Sequence, residues 1–198
     1  IRIEREICNP HRPIYSGTSD AFLKDFALLR GKALPCITGI VDTNSSIRRR
    51  PLISANLPSK IQFLSILLRK PLGTRFFLQH HVHTSMLPNF NPEGRRRCYE
   101  LANQFLAANK NYKGFCATSW FYDPELSEIS PRLRYLADYP ISGGAKRFYV
   151  GPDHSGSALS KSETRRRLNA TGRYQPKSYL LVWLTVDMVN FHREKGSA

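Results

Sequence analysis

The chain has 198 residues, 41% of them hydrophobic and 11% aromatic, and a formal net charge of +15. That much apolar material supports a packed core, which excludes a wholly disordered chain. No apolar run approaches the roughly eighteen residues that a membrane-spanning helix needs, so a soluble protein of one domain is expected.

The first residue is Ile1, read as a processed or trimmed start, and no secretory leader pattern follows it. Residues 1–18, rich in Pro, Cys, His and Gly, read as an irregular arm. Ser19 and Asp20 cap an expected helix from Ala21 to Lys32, ended by Gly31 and Pro35. Residues 36–57 are turn-rich, with a short β-like piece over Ile37–Val41. This gives an N-terminal arm and helix over 1–57, packed on a core of residues 58–198.

Pro58 suits the first turn of a buried helix reaching Lys70. Arg75–Met86, bounded by Gly73 and Pro88, reads as a strand. Asn91, Pro92 and Glu93 make the clearest helix start in the chain, and that helix runs to about Ala108. Lys113–Phe121 reads as a second strand. Helical stretches open at Asp123-Pro124 and Ser130-Pro131, and the second ends at Gly143-Gly144. Ala145–Gly151 is a third strand, Ser160–Leu168 a charged helix, and Tyr179–Val189 a last, central strand. The alternation predicts an α/β fold, a mixed central sheet with helices on both faces and an irregular N-terminal arm.

Arginine outnumbers lysine about two to one, which favours forked recognition of phosphate or carboxylate. It is gathered in three triplets: Arg48–Arg50, Arg95–Arg97 and Arg165–Arg167. The second lies in the first turn of the Pro92 helix, where positive charge opposes the helix dipole unless an anion compensates. Free amides there, with Gly94 allowing close approach, suit a pyrophosphate. On the strand before it, His81 and His83 share one face and His80 the other. Each of the first two is a candidate general base, and the pair is half of a metal site that Asp123, Asp153 or His154 would complete. At the end of the second strand, Trp120 and Phe121 are expected to pack in the core. Trp120 is also a candidate ligand wall, and Tyr122 and Asp123 stand where ligands gather in open α/β sheets. Arg165 and Tyr174 are candidate contacts to a phosphate or carboxylate substrate. No Gly-x-Ser-x-Gly elbow, P-loop or Rossmann glycine fingerprint is present, which argues against serine-hydrolase, NTPase and dinucleotide readings.

The order strand, phosphate-holding turn, helix, strand, helix, strand and final strand over residues 71–190 resembles the C-terminal half of the GNAT acyltransferase superfamily. The resemblance implies a coenzyme A thioester as donor. Asn91, Gly94, Arg95, Arg96 and Arg97 would then hold its pyrophosphate. His81, His83 or Asp123 would accept a proton from the attacking amine, and Tyr122 would return one to the thiolate. Trp120, Arg165 and Tyr174 would bind substrate. Of the family's turn pattern, Glu93-Gly94-Arg95-Arg96 supplies one glycine, and an extra helix near 158–172 separates the last two strands. The charge and the aromatics alone equally predict a nucleic-acid-binding or ribonucleoprotein component. A His-ligated metalloenzyme is the third reading. Four scattered cysteines without a CxxC pair predict a reduced, cytoplasmic protein.

Overall fold

The computed structural model describes residues 20–69 and 72–196. The arm over 1–18, the Ser19 cap, Cys8, Lys70 and Pro71 lie outside them.

The fold is α/β, built on one six-stranded mixed sheet. Helix α1 (Asp20–Leu29) is followed by β1 (Ala33–Cys36) and β2 (Gly39–Ser46), then α2 (Pro51–Ser54) and α3 (Leu57–Leu68). Strand β3 (Arg75–Val82), a 3-10 turn (Thr84–Asn89) and α4 (Pro92–Ala108) lead to β4 (Gly114–Ser119) and a second 3-10 turn (Trp120–Tyr122). Next come α5 (Leu126–Ile129), a third 3-10 turn (Pro131–Leu133), α6 (Tyr135–Ser142) and β5 (Lys146–Pro152). Helices α7 (Ser157–Ser160) and α8 (Glu163–Ala170), strand β6 (Lys177–Leu184) and α9 (Thr185–Gly196) complete the chain. The strands lie in the order β1-β2-β3-β4-β6-β5, with β3 parallel to β4 and every other pair antiparallel.

The period-2 alternation of the strands divides the core in two. Leu78, Phe115, Leu181 and Trp183 face α4, α6 and α9, where Tyr99, Ala102, Leu106, Ala137 and Met188 meet them. Phe77, Cys116, Phe148, Leu180 and Val182 face the other way, onto Phe63 and Ile66 of α3. Trp183 anchors the first layer, donating from Nε1 to Gly143 O at 2.7 Å and meeting the rings of Tyr99 and Phe191 at 5.5 Å.

Local chemistry sets the element ends. Asn91 Oδ1 accepts from Gly94 N at 2.8 Å and starts α4, while Asn56 and Ser162 cap α3 and α8 in the same way. Gly31, at φ +63°, ends α1.

Several boundaries differ from the sequence reading. The turn-rich stretch 36–57 holds most of a β-hairpin that joins the sheet through β3, along with the short α2. Strand β3 stops at Val82 rather than Met86, because His83 leaves the ladder and caps the 3-10 turn, its Nδ1 accepting from Ser85 N. Strand β4 stops at Ser119, and Trp120–Tyr122 curls away. The last strand ends at Leu184, not Val189. There Thr185 donates from N to Lys113 O at 2.8 Å and from Oγ1 to Tyr112 O at 2.9 Å, and the chain turns into α9. An apolar run of this length fits strand or buried helix equally, and the tertiary anchor at Thr185 chooses.

Phe63 is fully buried, edge to face with Phe148 at 5.1 Å. Phe63→Ala should therefore cost about 3–5 kcal/mol in urea unfolding. Leu68→Ala, on the same helix but 71% exposed, should stay within about 0.5 kcal/mol.

Candidate functional site

Strands β3 and β4 are bonded to each other only over Phe77–Gln79 and Gly114–Cys116. Beyond that they part. His80–Val82 and Ala117–Ser119 are no longer joined across the gap, and all six residues line a cavity of about 640 Å³. It opens at the carboxyl ends of β3, β4 and β5, where open α/β sheets place their ligands. A depression of about 720 Å³ at the other end, lined by Arg69, Lys110, Lys113 and Arg193, is different. Lys113 Nζ is spent there on the carbonyls of Leu67 and Gly73, and the remaining cations are exposed.

One wall of the cavity is built on Arg95. This guanidinium is only 2% exposed although it sits in the first turn of a helix. Nη1 lies 3.1 and 3.3 Å from the ring nitrogens of His80 and 3.4 Å from Thr38 Oγ1. Nη2 donates to Tyr99 Oη at 2.6 Å and reaches Tyr122 Oη at 3.5 Å, while Nε has no partner among the described residues. The charge also lies 4.7 Å from the centre of the Tyr99 ring. Burying a guanidinium demands such a shell.

Two glycines permit it. A Cβ on Gly39 would stand 2.7 Å from His80 Nε2, and one on Gly94 would stand 2.0 Å from Asn89 O.

The shell perturbs its members. Burial, and then the charge of Arg95, lower His80 to about 4, so its imidazole is neutral at pH 7. Burial raises the Tyr122 phenol against the pull of Arg95, so it keeps its proton. Its buried neighbours Cys36, His80 and Arg95 pull the Cys98 thiol down, against the effect of burial. Cys36, which donates from Sγ to Cys98 O at 3.2 Å, is pushed up in turn. Cys36, Cys98 and Cys116 are buried free thiols.

The opposite wall carries Arg165, 3% exposed. It donates from Nε to Ala158 O, from Nη1 to Ser130 Oγ at 2.9 Å, and lies 4.8 Å over the Trp120 ring. Trp120 Nε1 in turn donates to Ser157 Oγ at 3.0 Å. Lys24, Arg132 and Lys161 complete a lining of five cations, and among the described residues no carboxylate joins them.

The cavity thus gathers His81, Arg95, Trp120, Tyr122 and Arg165 of the residues singled out in the sequence. The others lie elsewhere. His83 is buried beyond the strand end, its Nε2 2.9 Å from Asp25 Oδ1 and its Nδ1 2.7 Å from Ser85 Oγ. Asp123 spends Oδ1 on Glu125 N and Oδ2 on Lys177 N, both at 3.2 Å, and faces a smaller hollow with Arg134 and Arg147. Asn91 is used as the helix cap, and Gly94 N–H is taken by it. Arg96 is held on the surface by Glu93 and Glu100, while Arg97 is exposed. Tyr174 is buried outside the cavity lining, and its hydroxyl has no partner among the described residues. Among the described residues no group of three or more His, Cys, Asp or Glu is placed to hold a metal ion.

His80, Thr38 and Arg132 were not anticipated as site residues. One sequence signal did point to the buried arginines. Both helix starts read Glu-x-Arg-Arg-Arg, at 93–97 and 163–167. In each, the glutamate pairs with the middle arginine three residues on and the first arginine turns inward. Compared with known protein families, curated proteins and solved structures, the chain gives no match.

His80 binds its proton less readily folded than unfolded. Its contribution to stability is therefore complete above about pH 6.5 and is lost as pH falls toward 4, by about 3 kcal/mol in all. A His80→Asn variant lacks this titration, so the stability gap between it and the parent in urea unfolding should narrow from pH 7 to pH 4.5.

Proposed function

We propose that the chain is an acyltransferase of GNAT type, moving an acyl group from a thioester donor to an amine in the cleft where β3 and β4 part. The observation that carries this reading is that parting. A strand that runs through a turn and a helix into a parallel neighbour, followed by the antiparallel β6-β5 pair, keeps the element order on which the resemblance over residues 71–190 rests. Past the last bonded pair the two strands are not joined to each other, and a gap of this kind suits an extended, amide-bearing arm and a carbonyl to be polarised.

In this reading Tyr122 holds the proton at its Oη for the leaving group, since the phenol stays protonated at neutral pH beside the Arg95 charge. His81, half-buried on the lining, takes the proton from the attacking amine. His83 and Asp123, which point elsewhere, have positioning tasks instead. Arg95 keeps the Tyr122 hydroxyl and the end of β3 in register.

A coenzyme A donor fits the cleft but not the start of α4. The Gly94 amide is capped, a backbone carbonyl closes on its Cα, and Arg96 already serves two glutamates. Recognition of the donor therefore rests on its thioester arm.

Acetyl coenzyme A should raise the melting temperature, and thiol release should depend on an added amine; no shift at millimolar donor would overturn the reading. Tyr122→Phe should lower kcat about 100-fold with little change in KM. Acetylpantetheine, which lacks the nucleotide, should react within about tenfold of acetyl coenzyme A in kcat/KM.

A further inference from the structure

The segment between β5 and β6 is the part of the chain that departs from the GNAT pattern, and it supplies the most cationic wall of the cavity. After β5 the chain forms α7 and α8 before returning to the sheet, and this excursion brings Ser155, Ser157, Ser160, Lys161 and Arg165 to the cavity. Arg165 is held rigidly there. Two of its nitrogens are committed to Ala158 O and Ser130 Oγ, its plane rests on Trp120, and Nη2 makes no hydrogen bond among the described residues.

Beside it, starting at the residue after Ser130, the Pro131–Leu133 turn presents Arg132 to the same cavity. The two guanidiniums are close enough for the charge of Arg132 to add to burial in lowering Arg165. No carboxylate lies within ion-pair distance of Arg132, Lys161 or Arg165 among the described residues. Cations brought together in a concave, partly desolvated site, with no acid among them, repel one another until an anion enters.

We propose that Arg165, Arg132 and Lys161 form a subsite for the phosphate group of a phosphate-bearing acceptor substrate, the aromatic face of Trp120 flooring it. Three cations without an acid match a dianion better than a single carboxylate, and forked guanidiniums match its oxygens in pairs. The proposal rests on the acyltransferase reading for the word acceptor. The anion site itself stands without it.

The test is direct binding of inorganic phosphate to the full chain at fixed ionic strength, by calorimetry and by Trp120 fluorescence with a Trp120→Phe control. Phosphate should bind, acetate at the same concentration should bind at least about tenfold more weakly, and coenzyme A should not displace phosphate. Arg132→Ala and Lys161→Ala, both at exposed positions that the fold does not need, should each weaken phosphate binding about tenfold. Arg165→Lys keeps the charge and loses the fork, and should weaken it likewise while leaving the melting temperature measurable. Absence of phosphate binding, binding unchanged in Arg132→Ala and Lys161→Ala, or equal binding of acetate would overturn the proposal. Displacement by coenzyme A would assign the subsite to the donor and overturn it as well. If phosphate binds as expected but no thiol is released from acetyl coenzyme A, the anion subsite survives and the acyl-transfer reading falls.

Discussion

A charged group can sit in a protein interior only if its surroundings replace the water it has lost, and Arg95 imposes that condition on this fold. Its guanidinium draws together Thr38 from the β1–β2 turn, His80 from β3, Tyr99 from α4 and Tyr122 from the turn after β4. Three other segments are thus tied to the helix that carries this side chain. The two glycines at 39 and 94 exist in that setting as space for the neighbours that close over it.

The parting of β3 and β4 follows from the same knot. Where the strands are bonded, Phe77–Gln79 against Gly114–Cys116, small and apolar groups let the backbones meet. Past that point His80 is turned toward Arg95, and Trp120–Tyr122 curls out of the sheet so that Tyr122 can reach the same guanidinium. The end of β3 and the turn after β4 are thereby both tied to Arg95, one on each side of the gap. The resulting gap becomes the cavity, floored by a neutral imidazole and a protonated phenol whose states are set by burial and by that single charge.

The second buried arginine solves the same problem differently. Among the described residues no acid pairs with Arg165. It is propped by a carbonyl, a hydroxyl and an indole ring, with one nitrogen left over. Arg95 is saturated on both terminal nitrogens and shapes the site. Arg165 is incomplete and faces into it. Similar helix-start sequences therefore yield one cation enclosed by its own shell and one that lines the cavity with a nitrogen to spare among the described residues. The surface ion pairs beside them, Arg96 with Glu93 and Arg166 with Glu163, remove the middle arginine from either role.

By itself the sequence determined whatever is local in its physics. Asn91-Pro92-Glu93 started α4 because a side-chain cap, a fixed φ and a favourable dipole charge all act within one turn. The alternation of helices and strands, the α/β class and the crowding of arginine at helix starts were legible for the same reason. What only the tertiary structure decided were the points where a distant partner outbid local preference. Asp25 and Ser85 drew His83 out of the strand, and Lys113 turned the apolar run at Thr185 into a helix. The Asn89 carbonyl, packing against Gly94, closed the turn that composition alone had opened to an anion. The Glu-x-Arg-Arg-Arg pattern marks the middle arginine for a surface ion pair, but the partners that receive the first arginine, His80 and Tyr122 for Arg95 and Ser130 and Trp120 for Arg165, come from distant segments that the local pattern does not name.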